Sequence, residues 1–222
     1  MSVRTKVAVE IGILALLTVV FILLFPKRSP WADVGLAAFA LVLIGLTAGY
    51  TRNTIWASLS SNAGEDRVRR CVTLAASITL PVVALFFIIG GVIGYHEGGW
   101  PGLIARILNW RILVAFACYA PWALMQQTLF QFYLLGRLAV LFPSVHSLVL
   151  CAFTGAAYSL VHLPDVGTTA VTAAAGIVWS YLYFRFRVLW PLALSHALLG
   201  SAFYYWICGH DLVAEWSAGV QL

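Results

Sequence analysis

A few polar side chains interrupt the long apolar stretches of this sequence, and their types are those that bind ligands or carry protons. They are Gln126, Gln127, Gln131, Tyr158, His162 and His196. A polar group at membrane depth is costly, so each of them indicates a site by default. Amides orient a bound group through hydrogen bonds. The unperturbed pKa of histidine is about 6.5, which suits proton transfer.

The spacing of these residues predicts which of them share a surface. Gln127 and Gln131 are four residues apart and lie on one helix face, and the same holds for Tyr158 and His162. We expect these groups and His196 to converge on one water-containing pocket in a helical bundle. A simpler interpretation stays open, in which the glutamines only join neighbouring helices by hydrogen bonds.

The composition identifies the setting in which these residues must work. Of the 222 residues, 62% are hydrophobic and only 9% are charged, whereas a soluble domain is about one quarter charged. This excludes a soluble globular protein, a disordered chain and a nucleic-acid-binding domain. None of the four cysteines forms a C-x-x-C pair, so neither a disulfide framework nor a zinc ribbon is indicated.

The apolar runs predict an all-α, polytopic transmembrane bundle with about seven spans, forming one membrane domain over residues 1–222. A span needs about 20 residues, and its backbone must be helical because lipid offers no hydrogen-bond partners. The predicted helices cover 7–25, 32–50, 71–95, a fourth starting near Pro121, 144–162, 168–184 and 191–208. Residues 51–70 and 96–111 are predicted loops.

The distribution of Lys and Arg predicts the orientation. With the N-terminus in the cytoplasm, nine basic residues fall on the inner side and four on the outer side, as the positive-inside rule favours. We therefore expect an integral protein of a bacterial inner membrane with a cytoplasmic N-terminus.

Three segments of the second half together resemble a known family. They read QQTLFQFYLLGRL from Gln126, Phe153 to Leu163 with His162, and LWPLALSHA from Leu189 with His196. They resemble the CPBP family of intramembrane endopeptidases, which includes CaaX prenyl proteases. The resemblance covers about 110–208 and implies a CPBP-type core there, while 1–110 carries three spans and no motif.

The chain departs from the family pattern at the residues that carry the chemistry. The family has E-E-x-x-x-R, then F-x-x-x-H, then H-x-x-x-N or H-x-x-x-D. Here Gln126 and Gln127 replace the two glutamates and Gln131 replaces the arginine, while Tyr158 replaces the phenylalanine. Gly200 stands where asparagine or aspartate is expected. An amide is not a general base, so glutamate-activated hydrolysis cannot run from Gln126 or Gln127.

The resemblance implies a catalytic set of His162, His196, Gln126 and Gln127, with Gln131 and Tyr158 contacting substrate. Zinc is the candidate cofactor, with His162 and His196 as its only candidate ligands, which is half of a site. The expected partners are membrane lipid and a membrane-associated peptide, prenylated or otherwise hydrophobic, and no nucleic acid. Two alternatives stay open: an inactive binding or partner subunit, and a small seven-helix transporter. The transporter is disfavoured because no buried Asp, Glu, Lys or Arg is expected.

Overall fold

All regular structure in the described part of the chain is helical. The computed structural model describes residues 2–24, 35, 38–39, 41–42, 45, 64–163, 165–211 and 213–214, and no strand occurs among them. The all-α prediction is therefore confirmed for these residues. Most of the predicted second helix and of the loop after it lies outside the described residues.

The helices are numbered here in chain order. They are α1 (Val3–Leu24), α2 (Glu65–Ile107), α3 (Arg111–Gln127), α4 (Leu135–Leu141), α5 (Ser147–Ser159), α6 (Val166–Phe186) and α7 (Trp190–Ala202). A π-helical segment, Thr128–Leu134, joins α3 to α4, and a second one, Phe203–Cys208, follows α7. A 3₁₀ turn, Leu160–His162, follows α5.

The chain divides into two compact units. Unit 1 contains Met1–Val68 and Met125–Leu189, and unit 2 contains Arg69–Leu124 and Trp190–Leu222. The first two motif segments therefore lie in unit 1, and the third lies in unit 2.

In unit 1, α5 and α6 pack closely because each has a glycine at the crossing point. A Cβ atom on Gly155 would lie 2.5 Å from the backbone nitrogen of Ile177, and one on Gly176 would lie 3.0 Å from the Cα of Gly155. Small residues that bring two backbones together are the usual contact between membrane helices. Asp165 precedes helix α6 as its N-cap, and its carboxylate accepts a hydrogen bond from the Thr168 amide at 3.1 Å.

In unit 2, α2 is interrupted at Gly98 and Gly99. Gly99 has φ +61°, a conformation that favours glycine, so the chain turns within two residues and then continues as a short helix. The side chain of Arg106 on this short helix donates to the backbone oxygens of Trp206 at 2.8 Å and Ile207 at 3.0 Å. These bonds satisfy carbonyl groups near the end of the second π-helical segment.

Three predicted boundaries are wrong. Residues 65–70 were expected in a loop but are helical, with Glu65 and Asp66 in the favourable first turn. The predicted loop 96–111 contains the short helix that ends at Ile107. The helix predicted to start near Pro121 begins instead at Arg111 and passes through this proline, because membrane helices tolerate proline where neighbouring groups satisfy the freed carbonyl.

Two helices in the described part of the chain are long and apolar enough to cross a membrane. They are α2 and the combined helix Arg111–Leu141. Large apolar side chains on both face outward, among them Ile88, 62% exposed, and Leu113, 70% exposed. An aqueous surface of this kind is unusual, whereas lipid accommodates it.

Candidate functional site

The three glutamines of the first motif lie where α3 passes into the first π-helical segment. The Leu135 amide donates to the Phe130 carbonyl, five residues earlier, which defines the wider π turn. Such turns are rare and frequently occur at functional sites. Gln127 and Gln131 are each only 1% exposed. The burial of both amides agrees with the shared helix face that their spacing predicts.

Two amide oxygens of this motif, those of Gln126 and Gln131, are available as acceptors. The Nε2 of Gln131 donates to the Ser180 hydroxyl on α6 at 3.3 Å. The side-chain oxygens of Gln126 and Gln131 are buried and accept no hydrogen bond from the described part of the chain. A buried acceptor without a donor is costly, so both oxygens suit a hydrogen-bond donor such as a water molecule or a peptide N–H.

Tyr158 connects the second motif to the first. It is 2% exposed, and its ring packs edge-on against Phe130, at 5.1 Å between centroids, and against Trp179, at 5.9 Å. His162 lies one turn further along, 5.9 Å from the Tyr158 ring, in the 3₁₀ turn that ends the helix. The predicted four-residue pair is therefore a real ring contact, and His162 is half-buried.

His196 occupies a more enclosed position on α7. It is 3% exposed. The hydroxyl of Tyr119 on α3 is 3.5 Å from its Nε2 atom, and the two rings meet edge-on at 5.5 Å. Beside it, the hydroxyls of Ser195 and Thr79 are 2.6 Å apart. Ser195 thus joins two helices by a hydrogen bond in addition to its predicted packing role.

The structure brings five of the six predicted site residues into unit 1. These are Gln126, Gln127, Gln131, Tyr158 and His162. His196 belongs to unit 2, and the expectation that the two imidazoles share one pocket stays a prediction. Tyr119 was missed at the sequence level because a tyrosine in an apolar run looks like a packing residue.

A buried ion pair contradicts the expectation that no charged residue would be buried. Arg137 on α4 donates to the carboxylate of Glu10 on α1 at 3.3 Å, and the two side chains are only 6% and 10% exposed. The guanidinium also lies 4.9 Å from the centre of the Tyr133 ring. Arg137 was predicted as an inner-side charge, and Glu10 was placed near the headgroups; their pairing lets both be buried.

The donor set for a metal ion is incomplete. Among the described residues, no group of three His, Cys, Asp or Glu side chains is placed to hold a metal, and a zinc site needs at least three protein ligands. Zinc at His162 and His196 therefore stays an untested prediction.

The comparisons with known proteins point to one family. A family model described as type II CAAX prenyl endopeptidase Rce1-like matches residues 77–201, more than half of the chain. The match includes all three motif segments and also begins earlier than the predicted core, within α2. No curated protein and no solved structure matches the chain.

Proposed function

The chain belongs to the type II CAAX prenyl endopeptidase Rce1-like family, and we propose that it is a divergent intramembrane endopeptidase acting on a membrane-associated peptide. The peptide would be prenylated or otherwise hydrophobic. The observation that carries the proposal is the burial of Gln127, Gln131 and His196, at 1%, 1% and 3% exposure. Polar groups are kept inside an apolar helical protein at a cost that a function explains.

In this proposal the histidines replace the missing carboxylate as proton carriers. A neutral imidazole removes a proton from water as the water oxygen attacks the peptide carbonyl carbon. The C–N bond then breaks, and the imidazolium returns the proton to the leaving amine. His162 and His196 are the candidates for these two transfers.

The amides would position the reactants. The free acceptor oxygens of Gln126 and Gln131 accept hydrogen bonds from the attacking water or from a peptide N–H. The buried amide of Gln127 can donate to the peptide carbonyl. Tyr158 keeps the His162 ring in place by edge-on packing and borders the substrate.

The setting proposed for this activity is a single membrane domain over residues 1–222 with about seven spans. The N-terminus would be cytoplasmic and the membrane a bacterial inner membrane. The Lys and Arg distribution and the two helices able to span a membrane support this arrangement.

Cleavage of prenylated and unprenylated hydrophobic peptides by the purified full chain tests the activity. We expect His162→Ala and His196→Ala each to lower turnover by about 100-fold or more, as for loss of a general acid or base. His96→Ala is the matched control, because His96 is exposed, and it should leave turnover unchanged. Turnover that survives both site substitutions contradicts the catalytic assignment.

An inactive binding or partner subunit is the second candidate, favoured by the amides at both glutamate positions. The triple substitution Gln126→Glu, Gln127→Glu and Gln131→Arg separates the two candidates. If the unsubstituted chain is inactive and this variant gains proteolysis that His196→Ala abolishes, then the scaffold is retained and its chemistry has been lost. Turnover by the unsubstituted chain itself contradicts the inactive candidate and supports the endopeptidase.

A further inference from the structure

The space beside His196 is filled by a residue that the family pattern does not include. A Cβ atom on Gly200, one turn after His196, would lie 2.7 Å from Cε1 of Tyr119 and 3.4 Å from two further atoms of that ring. Real Cβ atoms almost never approach a neighbour this closely. The Tyr119 ring thus occupies the volume into which an asparagine or aspartate at position 200 would project its side chain.

Tyr119 also supplies the polar group that position 200 lacks. Its hydroxyl is 3.5 Å from Nε2 of His196, and its ring packs edge-on against the imidazole. This distance is at the long end for a hydrogen bond, and such bonds are often long before substrate binds. The hydroxyl and the ring contact come from α3, whereas a side chain at position 200 would come from the same helix as His196.

We propose that Tyr119 is the positioning residue of His196, and that Gly200 is required to admit its ring. The Nε2–H group of His196 donates to the phenol oxygen, which leaves Nδ1 as the nitrogen whose lone pair can accept a proton. The hydrogen bond between Ser195 and Thr79 joins the neighbouring residue of α7 to α2. The inference deepens the proposed function and rests on it for the role of His196 in proton transfer.

The hydrogen bond is tested by nitrogen NMR of the full chain with ¹⁵N-labelled histidine in detergent micelles. The signals of His196 are identified by their loss in His196→Ala. We expect Tyr119→Phe, which removes only the hydroxyl, to shift the Nε2 signal of His196. Tyr95→Phe is the matched control, since Tyr95 packs against His96 in unit 2. An unchanged His196 signal in Tyr119→Phe overturns the proposal.

A double-mutant cycle in thermal stability tests whether the Tyr119 ring fills the volume that a side chain at position 200 would need. Gly200→Asn should lower the melting temperature in the unsubstituted chain, because the new side chain clashes with Tyr119. In the Tyr119→Ala background the same substitution should be tolerated. Equal losses in both backgrounds overturn the claim that the two residues share one volume.

The catalytic consequence separates this inference from the proposed function. If the chain cleaves peptides, Tyr119→Phe should lower kcat with KM little changed, since the tyrosine acts through His196. If the unsubstituted chain shows no turnover, the proposed function fails. The NMR shift and the stability cycle still decide whether Tyr119 positions His196.

Discussion

The two motif histidines, one in each unit, are held by different kinds of contact. In unit 1, His162 lies in a 3₁₀ turn at a helix end and packs against the Tyr158 ring. In unit 2, His196 lies within a helix, is almost fully buried, and meets a hydroxyl from another helix. The first environment is built mainly by packing, and the second has hydroxyl contacts between helices.

This difference indicates different roles for the two imidazoles. We expect the His162 ring, in a 3₁₀ turn at a helix end, to turn more easily than the His196 ring, which is enclosed within a helix. Substitutions that disturb packing should therefore affect unit 1 most, and loss of a hydroxyl should affect unit 2 most.

The ion pair between Glu10 and Arg137 is the exception in unit 1 and should give the largest effect. Glu10→Gln leaves a buried guanidinium without its counter-ion, and loss of one partner of a buried pair costs about 3–5 kcal/mol. The double variant Glu10→Gln with Arg137→Met should lose less than Glu10→Gln alone. Chemical denaturation in detergent measures both. A single variant as stable as the unsubstituted chain would mean that this pair does not anchor α1.

The glycine crossing of α5 and α6 should give the next largest effect. Gly155→Ala forces a Cβ atom to within 2.5 Å of the Ile177 nitrogen, and overpacking costs about 1–3 kcal/mol. Gly136→Ala is the matched control, since nothing lies within 4 Å of its added Cβ, and alanine favours the helix. Comparison of the two melting temperatures checks the prediction. If both substitutions are tolerated equally, close packing of α5 against α6 does not stabilise unit 1.

Composition and helical spacing were enough to predict the all-α class and the burial of Gln127 and Gln131. The four-residue interval between Gln127 and Gln131 predicts a shared face, and both residues are buried. The contact between Tyr158 and His162 follows from the same interval. The family resemblance likewise rested on three short segments whose order and spacing are visible in the sequence.

Local sequence patterns could not predict contacts between distant segments of the chain. The pairing of Glu10 with Arg137 joins residues 127 positions apart, and no local periodicity relates them. The contact of Tyr119 with Gly200 could not be predicted from the sequence either. It depends on a glycine in one helix, whose missing side chain leaves room for a ring from another helix. The π turn itself has no sequence signature, since it depends on tertiary packing.

The hydrogen bond between Thr79 and Ser195 tests the polar character of unit 2. Thr79→Val keeps the shape of the side chain but removes the hydroxyl that lies 2.6 Å from Ser195, and such a loss costs about 1–3 kcal/mol when a buried partner stays behind. Thr73→Val on the exposed side of the same helix is the matched control and should be nearly neutral. If both substitutions are neutral in thermal melts, hydroxyl contacts do not define unit 2.

The smallest effect is expected at Asp165, which caps α6, one of the two closely packed helices of unit 1. The Thr168 hydroxyl, and next the Thr168 amide, hold the pKa of this carboxyl below its usual value. Because the folded-state pKa is lowered, the cap contributes its stability above the unfolded-state pKa and loses it as the pH falls through the folded-state value. Asp165→Asn keeps a capping side chain without the charge, so its melting temperature should differ from that of the unsubstituted chain near neutral pH and converge with it in acid. A difference between the two melting curves that is constant from neutral to acidic pH would show that the charge of Asp165 does not stabilise the helix start.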